Sequence, residues 1–179
     1  MKSAIFIERD GILNQTATVR QGPSVPLTFQ EFQIMDSAVP VFQKLKSSGF
    51  LLIVTTNQPG LSNGSLNRRE MDRMHDVLSK RFPVDDILVC PHDSDDDCAC
   101  RKPGTGLFTE AAFKHHLDLE RCYVVSDKWQ DARAARHIGA VSLLLESPWV
   151  GNGHKDLVLP TLPDIASKIL KLESRYLAV

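Results

Sequence analysis

Short, continuously apolar stretches alternate along this chain with stretches in which apolar residues return every third or fourth position. That alternation predicts a parallel β-sheet covered by helices, an α/β fold, rather than a sandwich or a helical bundle. Strands are expected at Ala4 to Ile7, Phe50 to Thr55, Ile87 to Val89, Tyr123 to Val125 and Val141 to Leu145. Several are apolar throughout, as strands buried on both faces must be. Asp36 can cap a helix through about Ser47, where Ala38, Phe42 and Leu45 form a stripe and Gly49 supplies the stop. A second helix is expected from about Leu66 to Phe82, with Met71, Met74 and Leu78 as its buried face. Further helices are expected around Leu107 to His116, Gln130 to Ile138 and Asp164 to Leu172, the last outside the sheet. The segment Gln15 to Leu27, with Gly22, Pro23 and Pro26, reads as a long loop after the first strand, of the kind that forms binding loops or lids. No repeat or linker divides the chain, so a single domain over residues 1–179 is expected.

Composition narrows the function classes. Twenty-one Lys and Arg stand against 22 Asp and Glu in 179 residues, a net charge of -1, so no global field favours nucleic acid or an anionic membrane. Any anion site must be local. The opening apolar run is too short for a signal peptide and nowhere do 18 apolar residues follow one another, which predicts a soluble, cytoplasmic protein. A monomer without nucleic-acid or membrane partners is expected.

In an open parallel sheet, ligands bind beyond the carboxyl ends of the strands. The polar residues there form an ordered set. Glu8, Arg9, Asp10, Gly11 and Asn14 follow the first strand; Thr56, Asn57 and Gln58 end the second; Ser126, Asp127, Lys128 and Asp131 follow the fourth. Glu8 and Asp10 share a face if the strand persists that far, and with Asp127 they suit a hard cation such as Mg²⁺. Asp127 and Asp131 face the same cation if a helix starts at Asp127. Thr56 offers a hydroxyl and Lys102 a point charge, donors suited to a phosphoryl group. Singly, each piece is ordinary turn or cap chemistry; their order at successive strand ends is what points to a site.

A second constellation is Cys90-Pro91-His92 followed by Cys98-Ala99-Cys100. Three thiolates and an imidazole make a closed tetrahedral Zn²⁺ site of the structural kind, with Asp93 to Asp97 as its solvated tip. A disulfide is the competing reading, disfavoured by the closeness of Cys98 and Cys100 and by a reducing cytoplasm. Cys122 reads as a small buried hydrophobe. His75, His115, His116, His137 and His154 lack ligand spacing and are assigned surface or packing roles. Trp129 either borders the site or packs the start of its helix.

Glu8-Arg9-Asp10-Gly11-Ile12-Leu13-Asn14, Thr56-Asn57-Gln58, the run from Cys90 to Pro103 and Ser126-Asp127-Lys128 with Asp131 together resemble the haloacid dehalogenase superfamily. The zinc loop and the Thr-Asn-Gln element are similar to its histidinol-phosphatase and heptose-bisphosphate phosphatase branch, over roughly residues 3–145. The resemblance implies a Rossmann-like fold without a large cap domain and a Mg²⁺-dependent phosphatase working through an aspartyl-phosphate intermediate. It implies Asp10 as general acid and base whose backbone carbonyl also serves Mg²⁺, Thr56 and Lys102 as holders of the phosphoryl group, and Asp127 as a Mg²⁺ ligand supported by Asp131. Arg101, Lys128 and Asn57 would line the substrate side. The family's nucleophile is an Asp, and this chain has Glu8. The added methylene displaces the carboxylate by on the order of 1 Å, an error that can cost roughly a hundredfold in rate. The expected function is therefore hydrolysis of a small phosphorylated metabolite, a sugar phosphate ahead of histidinol phosphate, with activity impaired at Glu8. The alternatives are a silenced homologue that binds a phosphate ester without hydrolysing it, and an interaction protein that uses only the zinc loop.

Overall fold

The computed structural model describes residues 2–19 and 22–176. Six parallel strands make the central sheet: β1 (Ala4–Ile7), β4 (Leu51–Asn57), β5 (Asp86–Cys90), β6 (Tyr123–Ser126), β7 (Val141–Leu145) and β8 (Leu157–Leu159), in the order β5-β4-β1-β6-β7-β8. Between them run α1 (Val39–Ser47), α2 (Gly60–Asn63), α3 (Arg68–Arg81), α4 (Gly106–His115) and α5 (Trp129–Ile138), with α6 (Leu162–Tyr176) after β8. The first strand lies near the middle, with β4 on one side and β6 on the other. The winding reverses direction there, and the crevice at the carboxyl end of β1 is where such a sheet binds ligands.

The side-chain period of two explains the layering. Ile5 and Ile7 of β1, with Leu52, Val54, Tyr123 and Val125, face a core closed by α1, α3 and α6. Ala4 and Phe6, with Ile53 and Val124, face a second core closed by α4 and α5, where Phe6 and Phe108 meet edge to face at 4.9 Å. Met71, Met74 and Leu78 are the buried stripe of α3. Each such side chain contributes about 1.5–3 kcal/mol by leaving water, so Met74→Asp would break the docking of this helix.

The expected α/β parallel sheet is present, and the differences from expectation are local. Asp36 lies in a 3-10 turn (Asp36–Ala38) and pairs with Arg81 instead of capping α1, which starts behind Ala38 with Pro40 in its first turn. Proline needs no N–H partner there, so no side-chain cap is required. Asn67 caps α3, accepting from the Arg69 N–H at 2.8 Å. The three-residue edge strand β8 went unanticipated because so short an apolar run carries no readable period. The segment Gln15 to Leu27 is not a bare loop. It carries a two-stranded antiparallel ribbon, β2 (Ala17–Val19) and β3 (Gly22–Ser24), with Arg20 and Gln21 outside the described residues. None of the described helices is long and apolar enough to cross a membrane.

Candidate active site

Four segments deliver the site. β1 ends at Ile7, one residue before Glu8, so Glu8, Arg9 and Asp10 already belong to the turn that follows the strand. Gly11 makes that turn possible: its φ is +96°, and a Cβ there would lie 2.5 Å from Asp127 Oδ2. The end of β4 supplies Thr55 and Thr56, the loop before α4 supplies Lys102, and the step from β6 into α5 supplies Asp127, Lys128 and Asp131.

Glu8 is the centre of this arrangement and is almost fully buried. Its Oε1 accepts the backbone N–H of Arg9 at 2.8 Å, the N–H of Asp10 at 3.2 Å and the Thr56 hydroxyl at 3.1 Å. Its Oε2 accepts from Lys102 Nζ at 2.5 Å. The Lys102 ammonium spends its other two N–H groups on Asp131 Oδ1 at 2.6 Å and the Thr55 carbonyl at 2.7 Å, so all three donors are used. Burial pushes the Glu8 carboxyl upward, but Lys102 and Lys128 outweigh it and hold the pKa at about 2. Burial alone would lower Lys102; Asp131 and Glu8 raise it above its ordinary value. Asp131, buried beside anionic Glu8, is itself raised, and its Oδ2 is a buried acceptor without a partner. The expectation that Asp131 faces a cation together with Asp127 is thus corrected: α5 starts at Trp129, not Asp127, and Asp131 turns to Lys102.

Asp10 is held differently. Its carboxylate forms a forked pair with the fully buried Arg9, accepts from Asn14 at 3.0 Å and accepts from Gln58 Nε2 at 2.7 Å. Gln58 also donates to Thr56 Oγ1 at 2.9 Å, which fixes the direction in which the hydroxyl donates, toward Glu8. Behind Arg9 stands His75, its Nε2 3.1 Å from Arg9 Nη1. Burial, then the Arg9 charge, push the His75 pKa down to about 4, so the ring is neutral and accepts. The sequence set Arg9 and Gln58 among the polar residues at the strand ends without a stated role, and His75 among surface or packing residues. An Arg next to an Asp in a turn was the available signal for the first; nothing in the sequence foretold the His75 contact.

The oxygens suited to a cation are also gathered. Lys128 Nζ donates to the backbone carbonyl of Asp10 and, at 2.8 Å, to Asp127 Oδ1. An ammonium therefore sits among a carbonyl, a carboxylate and the Glu8 charge, an all-oxygen donor set that fits a hard divalent cation. Four carboxylates, those of Glu8, Asp10, Asp127 and Asp131, pair with three cations, Arg9, Lys102 and Lys128, and Arg101 lines the same cavity. The rim thus carries little positive charge to spare for a phosphate, which a divalent ion would supply. Asn57 and Arg101 act first as braces. Asn57 donates to the Lys102 carbonyl and accepts the Lys102 N–H, both at 3.1 Å, and Arg101 donates to the His92 carbonyl at 3.0 Å.

The cysteine cluster forms as expected, with all four cysteines of the chain free of disulfides. The ligand atoms of Cys90, His92, Cys98 and Cys100 lie within 4.8 Å of one another. The Sγ separations are 3.2–3.7 Å, and His92 Nδ1 lies 3.6 Å from Cys90 and 3.2 Å from Cys100. Bonds of about 2.0–2.3 Å to a shared tetrahedral ion demand edges of about this length, so the donors fit zinc. Burial pushes the Cys90 thiol up to about 12. At Cys98 burial is outweighed by the Arg101 N–H and the neighbouring thiols, leaving about 7. Cys122 is buried apart from this group, as expected.

A cavity of about 230 Å³ opens onto Glu8, Asp10, Asn57, Arg101, Lys128 and Asp131, with Val25 reaching in from the segment after the β-ribbon. It falls below the ~300–1,000 Å³ of pockets for drug-sized ligands and suits a compact metabolite. Trp129 does not border it. The indole is 40% exposed and lines a separate cavity of about 640 Å³ with Arg133, Arg136, His137 and His154, on the face of α5 opposite Asp131.

A family model described as HAD-hydrolase-like matches residues 99–161. The chain is 30% identical to a D-glycero-beta-D-manno-heptose-1,7-bisphosphate 7-phosphatase of Escherichia coli over 94% of each protein. It is 31% identical to a probable D-glycero-D-manno-heptose-1,7-bisphosphate 7-phosphatase of Thermoplasma volcanium, over 75% of this chain and 92% of that one. Among solved structures, the D,D-heptose 1,7-bisphosphate phosphatase of B. bronchiseptica, complexed with magnesium and phosphate, superposes with a TM-score of 0.82 at 27% identity, over 96% of this chain and 99% of that one.

Proposed function

We infer that this chain, which belongs to the haloacid dehalogenase superfamily and within it to the heptose-bisphosphate phosphatase branch, is a Mg²⁺-dependent phosphatase of a small sugar phosphate such as a heptose bisphosphate. One observation carries the reading: two backbone N–H groups, the Thr56 hydroxyl and the Lys102 ammonium converge on one anionic position at the carboxyl end of β1. Fixed donors of that kind stabilise the charge that develops on a transferring phosphoryl group.

In this reading a Glu8 oxygen attacks phosphorus and the ester oxygen leaves, taking a proton from Asp10, to give an acyl phosphate on Glu8. Asp10 then accepts a proton from water, the water oxygen attacks phosphorus, and phosphate departs with the carboxylate restored. Thr56 and Lys102 hold the phosphoryl oxygens. Arg101, Asn57 and Lys128, which line the cavity, contact the sugar side. Glu8, the Asp10 carbonyl and Asp127 would hold Mg²⁺, which offsets the repulsion between the acidic rim and the phosphate. We assign Cys90, His92, Cys98 and Cys100 to one structural Zn²⁺, since they leave no open position for substrate. The whole of 1–179 is read as one domain with the zinc loop inserted at 90–100, and as a monomeric, cytoplasmic protein. The relatives' names favour turnover over a silent binder.

Phosphate release with Mg²⁺ from a panel of sugar phosphates, including a heptose 1,7-bisphosphate, and from histidinol phosphate tests this. A sugar phosphate should be hydrolysed, and Asp10→Asn should abolish the reaction. The reading is wrong if neither this protein nor Glu8→Asp releases phosphate from any ester.

A further inference from the structure

We propose that the Glu8 carboxylate is an internal anion that fills the phosphoryl cradle of the ligand-free protein, so that a phosphate ester enters only by displacing it. The proposal rests on the phosphatase reading of this site and adds a step before the chemistry.

The geometry is that of a bound anion. A carboxylate oxygen accepting three donors at 2.8–3.2 Å, two of them rigid backbone N–H groups, is placed as an oxygen of a bound phosphate would be. Gln58 locks the third donor by donating to the Thr56 hydroxyl. Lys102 confirms the occupancy by its own bookkeeping of protons. Its three N–H groups are all used, and the Thr55 carbonyl, a backbone group of β4, cannot leave without moving the strand. Of the two carboxylates on Lys102, Glu8 alone also fills the Arg9, Asp10 and Thr56 donors, so the phosphoryl group and the Glu8 carboxylate compete for the same four donors.

The extra methylene is what makes this occupation possible. Shortening the side chain by one C–C bond, about 1.5 Å, withdraws the oxygens from donors now near 3 Å to beyond hydrogen-bond reach of most of them. An aspartate would leave the cradle open to phosphate; the glutamate closes it on itself. A displaced carboxylate has a second station beside the cluster of Asp10 carbonyl, Asp127 and Lys128, whose positive end already faces Glu8. Glu8 is on this view a gate as well as the attacking group, and its exchange raises the KM for every phosphate ester alike, independent of the sugar.

Titration calorimetry with inorganic phosphate tests the competition directly, in the presence of Mg²⁺ and again without it, for the unmodified protein, Glu8→Asp and Glu8→Gln, each checked for a cooperative thermal transition. Glu8→Asp should bind phosphate at least about tenfold more tightly in both conditions, the worth of one hydrogen bond to a charged group. Glu8→Gln keeps the length and the packing but not the charge, turns an amide toward Lys102, and should also gain affinity, which keeps the test alive if the aspartate variant folds poorly. Equal phosphate affinity in all three, within about twofold, overturns the competition even if the protein hydrolyses sugar phosphates. If no variant binds phosphate and none turns over an ester, the phosphatase reading falls and the competition falls with it.

Discussion

The acidic rim and the thiol loop grow from neighbouring strands, β1 and β4 for the one and β5 for the other, yet they are held together in opposite ways. At the rim every carboxylate has a cation from the chain itself, one of them shared: Arg9 with Asp10, Lys102 with Glu8 and Asp131, Lys128 with Asp127. In the thiol loop four donors face one another with no charge partner among them, while Asp93, Asp96 and Arg101 brace the surrounding backbone by hydrogen bonds. The rim is therefore held by the chain's own charges, whereas on the zinc assignment proposed above the loop gains part of its order from an ion. The two meet at Arg101 and Lys102, so a defect in the loop reaches the rim through two consecutive residues.

The contrast is broken most severely at Lys102. Lys102→Met fills the same space but leaves Glu8 and Asp131 buried without their shared cation. Breaking one side of a buried ion pair costs about 3–5 kcal/mol, which urea denaturation should report. Turnover should fall by about 10²–10³ with the loss of a donor to the phosphoryl group. A loss below about 1 kcal/mol would mean that the rim is not held by its own charges.

The thiol loop should respond next. Elemental analysis should give about one zinc per chain. Chelation or Cys98→Ser should lower stability by about 3 kcal/mol, or about 6–12 °C in Tm for a chain of this size, because ion binding here is also folding energy. Activity should fall in parallel, with Mg²⁺ unable to restore it. A protein without zinc and with an unchanged Tm would show that the loop, like the rim, is self-sufficient.

How far each region could be read from the sequence follows the same division. The thiol loop was fully legible, because ligand type and spacing alone define a tetrahedral site and Cys90, His92, Cys98 and Cys100 need no distant partner to be recognised. The sheet was legible for a similar local reason: Ala-Ile-Phe-Ile in β1 and the apolar run of β4 state their own burial. The identities at the rim were visible at successive strand ends, but not their pairing. Asp131 turned to Lys102, and the helix begins two residues later than Asp127. Asn57 and Arg101, which line the cavity, also brace the loop, and His75, on the far side of Arg9, joined the site through a contact 66 residues away in sequence. Such pairings depend on where helices start and how loops cross, which short motifs do not encode.

His75 offers a smaller test of the self-sufficient rim. Its pKa, held at about 4 against an ordinary 6.5, means that the folded ring stays neutral while the unfolded chain takes up a proton first as the pH falls. Its contribution is complete above pH 6.5 and is lost between 6.5 and 4, amounting to about 3 kcal/mol before solvent screening of the partly exposed ring reduces it. His75→Gln retains an acceptor for Arg9 and cannot titrate. The difference in urea midpoint between the two proteins should therefore change between pH 7 and pH 4.5, the unmodified protein losing more. Parallel pH curves would show that the ring is solvated and not wedged behind Arg9.

The smallest expected effect sits where the two regions join. Asn57 ties the Lys102 backbone to the end of β4 through both its amide N–H and its carbonyl, two neutral hydrogen bonds worth about 1 kcal/mol each at most. Asn57→Ala should cost about 1–2 kcal/mol of stability while leaving the zinc content at one per chain, since no ligand is touched. Its effect on kcat should exceed that on stability in relative terms, because Lys102 then enters the rim from a backbone free to shift, and a displacement of 1 Å there is worth roughly a hundredfold. If instead kcat is unchanged and only KM rises, Asn57 serves the sugar and the loop reaches the rim through Arg101 alone.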